Sequence, residues 1–75
     1  MIKMSKEQIF KIIEQVTKEI SYNNEITLFS SLKEKFDDLD VLLIRHYLEE
    51  YFKIELDEID EVYELIELIY SKIKG

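Results

Sequence analysis

Asp37-Asp38-Leu39-Asp40-Val41-Leu42-Leu43-Ile44-Arg45-His46-Tyr47-Leu48-Glu49-Glu50-Tyr51-Phe52 is the stretch on which the fold turns. Val41, Ile44, Leu48 and Phe52 recur at steps of three or four, the spacing of one face of an α-helix. Asp37 or Asp38 can start that helix, since a carboxylate there accepts a bond from a first-turn amide and faces the positive dipole end. Leu39, Leu42, Tyr47 and Tyr51 carry the apolar surface beyond one stripe. A helix that apolar on several sides is either central in a small bundle or carries a binding face. Leu43, Tyr47 and Tyr51 fit both readings. They can close the core, or they can dock a partner helix or make a dimer.

Upstream, Ser5 and Gln8 form a Ser-x-x-Gln capping box, with Met4 and Ile9 placed for a hydrophobic staple. Ile9, Ile12, Ile13, Val16 and Ile20 follow at helical spacing, opposite Lys11, Glu14, Lys18 and Glu19. This first helix should end near Ser21, where Tyr22-Asn23-Asn24 reads as loop. Residues 22–36 are less regular. Ile26, Leu28, Phe29 and Leu32 are expected to plug a core from this connection, and Ser30 or Ser31 to cap a short turn over Leu32 to Lys35. Downstream, Ile59, Val62, Ile66, Ile69 and Ile73 step by three and four, flanked by Leu65 and Leu68. Asp57 or Asp60 can cap this last helix, and Lys72 and Lys74 suit its C-terminal end. Between Phe52 and Asp57, Lys53-Ile54-Glu55-Leu56 alternates like a strand, but four residues without a partner make no sheet.

Composition bounds the rest. The chain has 75 residues, 47% of them apolar, with no Cys, no Pro and a single Gly. It is one domain, too apolar for disorder and without thiols for a disulfide framework or a cysteine metal site. Strong helix formers fill it, and nothing breaks a helix sharply. Seventeen Asp+Glu against ten Lys+Arg give a net charge of -7, which repels nucleic-acid phosphate. No apolar run approaches the ~20 residues of a membrane span, and no signal-peptide core opens the sequence. A cytoplasmic protein is expected.

In this order, the pieces resemble the acyl carrier protein family, with its peptidyl and D-alanyl carrier relatives. Asp37-Asp38-Leu39-Asp40 sits where the family carries Asp-Ser-Leu-Asp. Leu48-Glu49-Glu50-Tyr51-Phe52 is similar to its Leu-Glu-Glu-x-Phe ending, and Ile54-Glu55-Leu56 to its Ile-x-Ile/Val segment. Val62-Tyr63-Glu64-Leu65-Ile66-Glu67-Leu68-Ile69 looks like its last helix. The resemblance spans nearly the whole chain. It implies an all-α, acyl-carrier-like bundle over residues 1–75, with three main helices plus a short fourth turn or helix. The segment between Phe52 and Val62 is shorter than in the family, so the family's short third helix should be reduced to one turn or lost.

The family's phosphopantetheine arm is built on a serine hydroxyl, and Asp38 stands at that position. No prosthetic group is therefore expected. The alternative is a working carrier that uses Ser31, which keeps a Ser-Leu pair seven residues earlier. By the same resemblance, Asp37, Asp38, Asp40, Glu49 and Glu50 are expected to form an acidic docking face for a protein with a basic patch, such as a fatty-acid, polyketide or peptide biosynthetic enzyme. Asp38 reads either as an N-cap or as a fixed charge imitating the phosphate of a modified carrier. An unrelated helical dimerisation module is the third reading.

Catalysis is not expected, because no Gly-rich phosphate loop and no Ser/His/Asp arrangement is readable. His46, the one histidine, has no second metal ligand at suitable spacing and reads as a surface residue. Asp57, Glu58, Asp60, Glu61, Glu64 and Glu67 lack the ligand spacing of a calcium loop and read as a solvated face.

Overall fold

The capping box nucleates the first helix as expected. The Ser5 hydroxyl accepts from the Gln8 amide at 3.2 Å, and the Gln8 side chain accepts from the Ser5 amide at 2.9 Å. The computed structural model describes residues 4–74, so Gly75 and the Lys74 side chain lie outside the described residues. It contains α1 (Lys6–Ile20), α2 (Leu32–Lys35), α3 (Asp38–Phe52) and α4 (Val62–Lys74). This is a small all-α bundle of three main helices and one short one. Met4 packs against the core at the start of α1.

Each main helix sends one stripe inward. Ile9 and Ile13 of α1 meet Ile44 and Leu48 of α3 and Val62, Leu65, Ile66 and Ile69 of α4. Their burial is the dominant favourable contribution to the fold. The connections close the ends of this core with Ile26, Leu32, Phe36 and Leu56. The radius of gyration is 11.4 Å, matching the ~11 Å of a compact domain of this length. Lys6, at the start of α1, pairs with Glu67 and lies over the Tyr70 ring, both in the middle of α4. Met4 also shares a groove with Tyr51 and Phe52 at the end of α3 and Ile73 at the end of α4. So α1 runs antiparallel to both α3 and α4.

One expectation about the first connection and one about the start of α4 need correction. Ile26 and Leu32 are buried, but Leu28 and Phe29 are 46% and 78% exposed. The backbone there is spent on other bonds: the Leu28 and Ser30 carbonyls accept from the amides of Tyr63 and Val62 at 2.9 and 3.1 Å. That pairing turns Leu28 and Phe29 outward. The same pairing replaces the side-chain cap expected from Asp57 or Asp60. Asp60 turns instead to α2, accepting from the Ser31 hydroxyl at 2.5 Å and the Lys33 amide at 2.8 Å.

No helix forms between Phe52 and Val62, one of the two outcomes expected for that short segment. The short helix present, α2, lies in the first connection. Lys53 ends α3 in the left-handed region at φ 58° and ψ 47°. The following chain is tied back to Glu49. Its carbonyl accepts from the Ile54 amide at 3.2 Å and its carboxylate from the Leu56 amide at 2.9 Å. Among the described residues, no helix is long and apolar enough to cross a membrane.

Candidate interaction site

The α3 surface gathers the residues that the sequence singled out. Its inward stripe is complete with Ile44 and Leu48, yet Leu39, Leu42, Leu43, Tyr47 and Tyr51 stay exposed. Leu39 is 66% exposed and Tyr51 57%. Leu39, Leu43, Tyr47 and Tyr51 repeat every fourth residue, so they form one slanting ridge along the helix. The reading in which these side chains close the core is thereby corrected: Leu56 and Ile26 already fill those ends.

The five carboxylates do not make one continuous face. Asp37 is the N-cap, and its carboxylate accepts from the Asp40 amide at 2.9 Å. Asp38 is therefore the first helical residue and is not the cap. At ~100° per residue, Asp38 and Glu49 share one flank of α3, Glu50 lies on the same side of the ridge as Asp38, and Asp40 lies nearly opposite Asp38. Glu49 is half-buried and bound to the Leu56 amide, so it acts as a structural acceptor. Asp38 opens into a shallow depression of about 360 Å³ that also holds Lys33, Leu42, Arg45 and Glu58. Two cations thus sit beside its charge. The arrangement is an apolar ridge with Asp38, Arg45, His46 and Glu50 along one side of it.

Asp38 carries no hydroxyl, so it does not fit a phosphodiester-linked arm. Ser31 is half-buried and already engaged. Its oxygen donates to Asp60 and accepts from the Glu34 amide at 3.4 Å as the α2 cap. The two hydrogen bonds, from the Ser31 hydroxyl first and the Lys33 amide second, hold the Asp60 carboxyl below its usual range. His46 is exposed, with its ring tilted against Tyr47 at 6.5 Å. In the acidic run, Glu58 pairs with Lys33 at 3.3 Å and Glu67 with Lys6. Among the described residues, no group of three His, Cys, Asp or Glu is placed to hold a metal ion.

A second concavity escaped the sequence reading. It lies between α1 and α4, with a volume of about 560 Å³ and a floor of Phe10, Leu28, Tyr63 and Ile66. Phe10 was unassigned in the helical pattern, although its spacing from Glu7 and Glu14 places all three on one side of α1. Comparison with known proteins yields no matching family model, no matching curated protein and no matching solved structure.

Proposed function

We propose that the protein is a protein–protein docking module, a carrier-like bundle without the arm-bearing serine, which binds partners through α3. The observation that carries this reading is the exposed ridge of Leu39, Leu43, Tyr47 and Tyr51 on a helix whose core side is already filled. Tyrosine is among the side chains that most often anchor protein interfaces. Support for the carrier-like part comes from the order of the elements: a long first connection, α1 antiparallel to α3 and α4, and a carboxylate at the first position of α3. The partner would offer an apolar patch flanked by basic residues, steered by the net charge of -7. That same charge opposes pairing of two copies and favours a different protein over a dimer.

Two measurements test the reading. Incubation with coenzyme A and a broad phosphopantetheinyl transferase should leave the intact mass unchanged; an added arm makes the protein a working carrier and overturns the proposal. Binding to a carrier-dependent condensing enzyme with a basic docking patch should weaken by about tenfold in Leu43→Asp. It should also weaken with rising salt. Undiminished binding by Leu43→Asp removes α3 as the docking surface. Asp38→Asn separates charge from fold, because Asp37 supplies the cap. Unchanged affinity there would end the idea that Asp38 imitates a phosphate.

A further inference from the structure

No α3 residue lines the concavity between α1 and α4. Its floor is built from three segments. Phe10 comes from α1, Leu28 from the first connection, and Tyr63 and Ile66 from α4. The main-chain bond from the Tyr63 amide to the Leu28 carbonyl fixes two of these walls against each other. Phe29 is not part of that lining but adjoins it, its ring 6.0 Å from that of Tyr63 in a tilted arrangement. An exposed aromatic pair beside an apolar floor is a platform on which a large apolar side chain can lodge. The volume, about 560 Å³, lies within the range of sites that hold organic ligands.

The rim states which occupant fits. Glu7, Glu14 and Glu67 border the groove, against Lys6 and Lys11. Lys6 and Glu67 are paired with each other, Lys6 also lying 5.1 Å from the centroid of the Tyr70 ring, which leaves Glu7 and Glu14 against Lys11 on the rim. Glu64, the next residue along α4, accepts from the Tyr63 hydroxyl at 3.3 Å. Glu61, then Glu64, push the Tyr63 phenol above its usual range, in keeping with the negative charge of the Glu7 and Glu14 rim. An anionic lipid or fatty acid would place its headgroup beside that charge, and like charges repel.

We propose that the α1–α4 groove docks a basic amphipathic segment of a partner protein, which seats an aromatic or large aliphatic anchor against Phe10, Phe29 and Tyr63 and sets Lys or Arg against the Glu rim. This is the helix-in-groove mode of recognition. No α3 residue lines this groove, so its occupancy does not depend on the α3 ridge.

The test is a titration of the full ¹⁵N-labelled chain with a synthetic amphipathic helical peptide carrying one Trp anchor flanked by lysines. A matching peptide with glutamates for lysines and sodium dodecanoate are titrated in parallel. The expected result is amide shifts confined to the neighbourhoods of Phe10, Leu28 and Tyr63 with the lysine peptide, and affinity that falls with salt. Phe29→Ala should weaken binding by about tenfold, since an exposed ring is removed from the anchor site. Leu43→Asp should leave it unchanged, which separates this groove from the α3 reading. Equal binding of the glutamate peptide, binding of dodecanoate alone, shifts centred on α3, or full affinity in Phe29→Ala would each overturn the proposal.

Discussion

The two long helices that open and close the chain begin in opposite ways. α1 satisfies its first amides from within four residues, through Ser5 and Gln8. α4 hands the amides of Val62 and Tyr63 to carbonyls of the first connection, and Asp60 just ahead of it holds the start of α2. One start is built from neighbours in sequence, the other from distant segments brought together by the fold. A local device should therefore cost little when lost, because water can replace it at an exposed helix end. A device that joins distant segments should cost more.

The largest effect is expected at Asp60. Asp60→Ala leaves the Ser31 hydroxyl and the Lys33 amide without their acceptor, and should destabilise by about 2 kcal/mol. Thermal unfolding should then shift down by roughly 10 °C. The carboxyl is held below its ordinary value of 3.8. Its contribution is thus complete above that pH and is lost as pH falls through the lower folded-state value, because the unfolded chain binds the proton first. Asp60→Asn should flatten that part of an acid-unfolding curve; an unchanged curve would show that the clamp carries no weight.

Glu49 comes next. Glu49→Ala removes the acceptor of the half-buried Leu56 amide and should cost about 1–2 kcal/mol in urea unfolding, while Glu49→Gln recovers much of it. Ser5→Ala breaks the local box and should cost about 1 kcal/mol. If Ser5→Ala proves as damaging as Asp60→Ala, the distinction between near and distant devices fails. The smallest change has the opposite sign. Lys53 holds a left-handed conformation that suits glycine better. Lys53→Gly should stabilise by roughly 0.5–1 kcal/mol, and a loss instead would mean that the lysine side chain holds the end of α3.

Legibility in the sequence follows the same division. The α1 box, the inward stripes of α1 and α4 and the short turn at Leu32 were readable, because each is written within one or two turns of chain. The α3 start was uncertain by one residue, since Asp37 and Asp38 are chemically equal as caps. The backbone resolves it in favour of Asp37. Leu28 and Phe29 were misread as core because hydrophobicity without periodicity gives no direction. Only the pairing with α4 turns them outward. The role of Glu49 was hidden by its place in a Leu-Glu-Glu-x-Phe pattern that suggested docking. Its bond to Leu56 appears only once the chain folds back after Lys53. The α1–α4 groove left one trace in sequence, Phe10 outside the core stripe.

The handing of α4's first amides to the first connection also ties the opening of the two segments together. Amide exchange with deuterium should make this visible. Val62 and Tyr63 would open together with the loop around Leu28 and Ser30, as one cooperative unit, while Ile66 and Ile69 exchange only on wider unfolding. The connection that looks least regular in the sequence is thus the latch whose release would let the beginning of the last helix fray.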